Sequence, residues 1–406
     1  MTYHTHLSLS PLRSASGARD LSIGRALDAI REHLGMDVAY LSEFEGDETV
    51  FREVSAPGLE ALIKPGDRRS LDDVYCRYIL DGRLPELMPD TSAEPLAAAM
   101  SITGAVPIGS HMSLPVRLPD GEVYGMFCCL GAKANPTLNE RDLATMRMFA
   151  DLATERVAER VTTTREVQAK REAIRAALTP EGFGIALQPI VRLADGAPGG
   201  HECLSRFRAE PYRPPNEWFD DAEACGMGSE LEIAAIERAL DHAAAAGEAY
   251  LSVNVSPTVI VDPLFAERVG GALARGGAGI MLEVTEHARV ADYGVLHAVL
   301  APLRERGMRL AVDDAGAGYA SFNHILELRP DVIKLDMGLV RDLHVNASRR
   351  SLVAGMALFA REMGMAVVAE GVEVEGERDA LVALGIDYGQ GWLFGRPVDP
   401  FVALAA

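Results

Sequence analysis

The residues with most chemistry to offer stand at the ends of apolar runs. In the second half of the chain these runs read HECLSR, LSVNVS, MLEVTE, LAVDD, VIKLD, VVAEGVE and YGQGW. Glu202, Asn254, Glu283, Glu286, Asp313, Asp314, Lys334, Asp336, Glu370, Glu373 and Gln390 lie in or just after them. One buried polar residue is commonly a satisfied core group. A series of acids is different, because a buried carboxylate is costly unless paired or metal-bound, and one lysine cannot neutralise them all. Hard oxygen donors with neither His nor Cys among them point to Mg2+ or Mn2+. Adjacent Asp313 and Asp314 could serve two ions where a strand's end splays into a loop. Two such ions clamp a phosphodiester and generate hydroxide from water. A lysine beside that water orients it, or takes its proton if its pKa is depressed. The chemistry indicated is metal-assisted hydrolysis of a phosphate ester, with a metal-dependent lyase or an enolising barrel as open alternatives.

Positioning these residues falls to eight candidate strands: Gly184–Ile190, His201–Phe207, Tyr250–Ser256, Ile280–Thr285, Arg309–Asp314, Val332–Asp336, Ala366–Glu370 and Tyr388–Leu393. Helical patterns fill most gaps, as in Glu230–Ala245 and Arg350–Met363. Alternating β and α predicts a parallel sheet covered by helices. Eight strands predict a closed (β/α)8 barrel, whose C-terminal strand ends converge on one face. The alternative is an open doubly wound sheet, but no GxGxxG follows a strand.

The first half reads as α+β. A helix is predicted over Ile23–Leu34, and strands over Asp37–Phe44, Thr49–Ser55, His111–Leu118 and Glu122–Leu130. Pro119-Asp120-Gly121 between the last two predicts a hairpin turn: Pro presets φ, Asp bonds its own backbone and Gly tolerates positive φ. Residues 141–178 hold no Gly or Pro and predict a long connecting helix, although TTT at 162–164 interrupts its apolar stripe.

The chain has 406 residues, too many for one ordinary domain. It is 48% hydrophobic and 24% charged, the balance of a folded globular protein rather than a disordered or disulfide-stapled one. No apolar run is long enough for a transmembrane helix, and the first residues lack a signal-peptide pattern. With 59 acids against 39 bases the net charge is −20, which argues against binding a nucleic-acid duplex. Five cysteines without CxxC predict reduced thiols in a cytoplasm, packed as small core residues. Neighbouring Cys128 and Cys129 in a strand point to opposite faces.

Residues 180–406 resemble the EAL-domain family of cyclic di-GMP phosphodiesterases. The resemblance rests on LQPIV at 187–191, ECLSR at 202–206, VNVSP at 253–257, EVTE at 283–286, DDAGAGY at 313–319, RPDVIKLD at 329–336, VVAEGVE at 367–373 and QGWLFGRP at 390–397. It implies an EAL-type TIM-like barrel that opens cyclic di-GMP to linear pGpG with two Mg2+ or Mn2+ ions. It also implies metal ligands at Glu202, Asn254, Glu283, Asp313 and Asp314, and a water-positioning lysine at Lys334. Glu370 and Gln390 would support the metal shell and Glu286 would anchor a loop, while Gln188, Leu204, Arg206, Asp336 and Glu373 would line the substrate. Cys203 replaces the usual Ala of the name-giving motif and is expected to point away from the metals. The family's DDFGTGYSS loop reads DDAGAGYAS at 313–321, with Ala315 for Phe and Ala317 for Thr. Restoring both residues is expected to raise activity at limiting metal.

Residues 18–160 resemble a GAF domain, on YCRYILDGRLPELMPDT at 75–91 and SLPVRLPDGEVYGMFCCL at 113–130. The resemblance leaves its ligand open. No GGDEF motif occurs. The organisation expected is a GAF sensor over 18–160, a helical linker over 161–179 and an EAL phosphodiesterase domain over 180–406. The partners expected are cyclic di-GMP, a second copy through the helix and barrel, and a signalling protein. A catalytically weak or inactive cyclic di-GMP receptor is the competing reading, because the loop is altered.

Overall fold

The computed structural model describes residues 21–242, 249–271, 273, 279–285, 290–316 and 322–398. Glu286, Ala317 and the rest of the loop to residue 321 lie outside them. The chain forms two compact units that divide between Arg165 and Glu166.

The first unit is an antiparallel sheet with helices. Its strands are β1 (Val38–Glu45), β2 (Glu48–Ser55), β3 (Arg68–Ser70), β4 (Leu87–Met88), β5 (Ser110–Arg117) and β6 (Val123–Gly131), in the order β3-β2-β1-β6-β5-β4. The hairpin of β5 and β6 forms as its turn chemistry requires. Gly121 takes φ +86°, its N–H donates to the Leu118 carbonyl at 2.9 Å, and Asp120 accepts from the Glu122 N–H at 3.0 Å. Alternation sends Ala39, Leu41, Phe127 and Cys129 to one face, and Val38, Tyr40, Met126 and Cys128 to the other. All five cysteines are buried and none is disulfide-bonded.

The helix Glu140–Ala177 is one continuous element. Within the first unit its Leu143, Met146, Ala150, Ala153 and Val157 pack on the sheet at spacings of three and four residues. The threonine run stays helical: Thr163 donates its hydroxyl to the Glu159 carbonyl at 3.0 Å, the back-bond open to threonine in a helix. Ile174 and Ala177 belong to the core of the second unit.

That unit is a closed barrel of β7 (Phe183–Arg192), β8 (Pro198–Phe207), β9 (Tyr250–Asn254), β10 (Ile280–Thr285), β11 (Arg309–Ala315), β12 (Val332–Leu335), β13 (Ala366–Ala369) and β14 (Tyr388–Gln390). One feature departs from the all-parallel expectation: β7 runs antiparallel to both neighbours, β8 and β14. The reason is local. Only residues 193–197 separate β7 from β8, enough for a hairpin and too few for a parallel crossover. Gly196 supplies the positive φ of that turn, at +70°.

Alternation along the strands divides the barrel into an outer shell and a lumen. Outward residues such as Leu251, Leu282, Leu310, Ile333 and Val367 join the core shared with the helices. Inward residues form an apolar floor of Ile190, Tyr250, Met281, Ala311, Val332 and Val368. Two residues further along, on the same face, the series becomes Ser252, Glu283, Asp313, Lys334 and Glu370. The period of a strand thus stacks a polar layer on an apolar plug. Cys203, one residue after Glu202, belongs to the outer core.

Candidate active site

Lys334 is the centre of the polar layer. Its side chain is fully buried, and Nζ lies 2.8 Å from Glu283 Oε2, 3.0 Å from Asp313 Oδ1, 2.6 Å from Glu370 Oε1 and 3.8 Å from Glu202 Oε2. Four carboxylates surround one ammonium. Their charges hold Lys334 protonated: burial pulls its pKa down, but Glu202, Glu283, Glu370 and Asp313 together raise it well above the usual lysine value. In this arrangement the Lys334 ammonium is a donor to the acids around it, which accords with one of the two roles the sequence allowed it.

The acids carry the opposite perturbation. Burial raises Glu283 well above the ordinary carboxylate range; Lys334 opposes the rise, and Glu202 and Asp313 add to it. Glu370 is pushed up to about 8 by burial, against Lys334 and with the help of Asp313 and Glu202. Such a cage has an excess of negative charge that further cations would relieve. The Glu370 shift has a measurable sign. A raised folded-state pKa favours the protonated form, and that contribution is complete below the unfolded value near 4.5 and lost as pH rises through about 8. Metal-free protein should therefore lose stability relative to Glu370→Gln between pH 5 and 8.5. Denaturant melts of both across that range check this, and parallel curves would refute it.

Polar neighbours fix the carboxylates. Ser252 donates its hydroxyl to Glu283 Oε1. Asn254 Nδ2 donates to Glu202 Oε1 at 3.2 Å, while Gln390 Nε2 donates to Glu202 Oε2 at 2.5 Å and to Gln188 Oε1 at 3.1 Å. Gln188 donates in turn to the Gly395 carbonyl at 3.2 Å. Gln188 thus stands behind the Glu202–Gln390 pair. Ser252 was missed in the sequence, although it sits two residues before Asn254 and so on the same face. Glu377 was missed too. Only 3% exposed, it accepts from the N–H groups of Asp342 and Glu373 at 2.9 Å and of Val374 at 3.3 Å, tying down the loop after Glu370. Its signal in the sequence was weak: an acid in the first turn of a helix ordinarily reads as a surface charge.

The end of β11 brings consecutive aspartates to one face. Neighbours in a strand face opposite ways. Here the register slips between Val312 and Ala315 opposite β12, and Asp314 adopts φ +57°. A bulge of this kind re-aims side chains, and aspartate tolerates the left-handed region better than most residues. As a result, oxygens of Asp313, Asp314 and Glu370 lie within 4.8 Å of one another, and so do those of Glu202, Glu283 and Asp313. Asp313 belongs to both groups.

Two triads of hard oxygens sharing one aspartate fit a pair of divalent cations. Gln390 Oε1, buried and accepting from no group, is a further free acceptor in the same layer. Ala315 is fully buried in the outer core, so a phenylalanine there would have to displace its neighbours. Ala315→Phe alone should destabilise the protein by about 1–3 kcal/mol. A urea midpoint at or above the parent's would show that space exists.

The other candidates lie apart from the lysine. Arg206 is half-buried at the end of β8 and donates to the Ser205 carbonyl at 2.9 Å; Leu204 is half-buried two residues before it. Asp336 caps the helix Met337–Val340, accepting from the Gly338 N–H at 2.8 Å. Glu373 pairs with Arg341.

Comparison with known proteins gives these positions a context. The EAL-domain profile matches residues 171–397, more than half of the chain, and a GAF-domain profile matches residues 23–157. The cyclic di-GMP phosphodiesterase PdeF of Escherichia coli is 31% identical over 233 residues, covering 55% of this chain and 31% of that protein. The cyclic di-GMP phosphodiesterase NbdA of Pseudomonas aeruginosa is 30% identical over 254 residues, covering 60% of this chain and 32% of its own length. The chain thus spans about a third of the length of these relatives. Among solved structures, the PaMucR phosphodiesterase in complex with c-di-GMP matches with a TM-score of 0.51 and 26% identity, over 58% of this chain and 99% of that one.

Proposed function

The chain belongs to the EAL-domain family, and from that premise we propose that its barrel hydrolyses cyclic di-GMP to linear pGpG using two divalent cations, Mg2+ or Mn2+. The observation that carries the reading is the convergence of Glu202, Glu283, Asp313 and Glu370 on Lys334, with Asp314 turned in beside Asp313 and Glu370. Glu202, Asn254, Glu283 and Asp313 would hold one ion, and Asp313, Asp314 and Glu370 the other. When bound, such ions polarise the phosphate and make water nucleophilic at neutral pH.

The chain's own groups do the rest. Lys334, fixed between three carboxylates, aims its ammonium at the attacking water and holds it in line. Gln390 and Gln188 keep the Glu202 carboxylate oriented, and Ser252 does the same for Glu283. Arg206 pairs with a phosphate oxygen and Leu204 packs against the nucleotide. Asp336 and Glu373 act indirectly, holding the backbone and Arg341 at the barrel's mouth, and Glu286 would anchor the loop after β11. Water adds OH to phosphorus and H to the departing 3′ oxygen; one P–O bond forms and one breaks, leaving the 5′-phosphate of pGpG.

The GAF domain would regulate this activity, with the division at 18–160, 161–179 and 180–406. Pairing of two copies along the helix Glu140–Ala177 is supported by Met148 and Leu152. These two residues lie four apart on one face, 68% and 58% exposed. Cyclic di-GMP incubated with the purified full chain and Mn2+ should give pGpG, resolved by chromatography. Unchanged substrate at saturating protein would overturn the reading and favour a receptor.

A further inference from the structure

Between β11 and β12 lies a seven-residue helix, Phe322–Leu328. A helix that short is marginal by itself, so its place is set by what it packs against. Ile325 and Leu328 bury one side of it in the outer core of the barrel. The preceding helix, Tyr293–Arg304, grips it and the residues just after it through three side chains. The Tyr293 hydroxyl lies 2.7 Å from His324 Nδ1, and His297 Nε2 lies 2.7 Å from the Glu327 carbonyl oxygen. Arg304 donates to the Arg329 carbonyl at 3.0 Å and to Asp331 Oδ1 at 2.7 Å.

The contact between Tyr293 and His324 differs from the other two. His324 is 9% exposed and its Nε2 is buried without a partner, so among the described residues Tyr293 makes the ring's one hydrogen bond. It is also the contact nearest along the chain to Asp314, which His324 follows by ten residues. Asp314 stands at φ +57° in the bulge where β11 slips against β12. The residues after it are small: Ala315, then Gly316 at φ +98°. The Ala315 carbonyl accepts from the Asp336 N–H at 3.3 Å, which fixes the main chain on one side of that turn. Tethering the other end of a short segment reduces the conformations open to it.

We propose that Tyr293 and His324 are positioning residues for the second cation: their hydrogen bond fixes the start of the helix Phe322–Leu328 and so keeps the Asp314 carboxylate beside Asp313 and Glu370. They act through Asp314 and not on the substrate. The inference rests on the two-cation reading above, and metal titration separates the two.

Isothermal titration of Mn2+ into the full chain tests it without turnover. The parent should take up two ions. Tyr293→Phe, which removes one oxygen, should weaken one of them about tenfold, the size of effect a remote residue has on a site coupled to it, and leave the other unchanged. The Mn2+ concentration for half-maximal hydrolysis should rise in step, with kcat at saturating Mn2+ close to the parent's. His324→Asn keeps a polar atom near the place of Nδ1 and should retain most of the affinity, whereas His324→Leu should match Tyr293→Phe; the two His324 variants carry the comparison if Tyr293→Phe fails to fold. In an Asp314→Ala background, which lacks the second site, Tyr293→Phe should change nothing further. Two results would overturn this inference alone: a parent that binds two ions with Tyr293→Phe and His324→Leu titrating identically to it, or a loss of Mn2+ affinity on Tyr293→Phe that persists in the Asp314→Ala background. A parent that binds no Mn2+ would overturn the two-cation reading along with it.

Discussion

Lys334→Ala should lower kcat for cyclic di-GMP by about 10²–10³-fold while changing the affinity for cyclic di-GMP only a few-fold. The ammonium is buried among carboxylates and touches groups that would hold cations and water, so its effect is concentrated where charge develops in the transition state. Arg206→Ala should show the opposite division, with weaker binding and a smaller change in kcat, because a phosphate contact is present in both states. Lys334→Ala also leaves Glu283, Asp313 and Glu370 without their common partner. Breaking a buried pair typically costs about 3–5 kcal/mol, so the metal-free variant should melt well below the parent. Lys334→Arg keeps the charge with a different donor geometry. It should recover much of the stability and little of the activity, which separates positioning of water from mere charge balance. Single-turnover rates, titration of cyclic di-GMP and melts of all three proteins check these effects. A kcat within threefold of the parent for Lys334→Ala would remove the lysine from the chemistry.

Chelation is the second large effect. EDTA should abolish hydrolysis, and Mg2+ or Mn2+ should restore it. Glu202→Ala and Asp313→Ala should each reduce activity by orders of magnitude. Asp313 is the more damaging loss because its oxygens lie in both carboxylate triads. The same experiment has a readout independent of turnover. An ion that binds only the folded state stabilises it by about 2.7 kcal/mol at a hundredfold excess over its dissociation constant, so Mn2+ should raise the parent's Tm. Asp314→Ala should blunt that rise and Asp313→Ala should remove it. The metal-induced shift should also grow from pH 6 to 8.5, because burial and neighbouring acids hold a proton on Glu370 up to about pH 8 and an incoming cation must displace it. Full turnover in EDTA, or equal shifts for parent and Asp313→Ala, would end the two-cation reading.

The sequence by itself determined what depends on neighbours along the chain. Period-two alternation set Glu283, Asp313 and Lys334 on one face, two residues beyond Met281, Ala311 and Val332. Pro119-Asp120-Gly121 specified its own hairpin, and a strand's geometry separated Cys128 from Cys129. Strand count and spacing gave a barrel. The tertiary structure decided what depends on distance across the fold. The antiparallel course of β7 follows from how short its hairpin became once both strands extended beyond their apolar centres. The charge state of Lys334 depends on four acids in or just after four other strands, and no local rule gives their separations. The bulge that turns Asp314 beside Asp313 arises where β11 slips against β12. Asp336 and Glu373 stand in the same series of strand-end acids in sequence, set apart from the metal ligands only by resemblance, and only the fold gave one a helix to cap and the other an arginine.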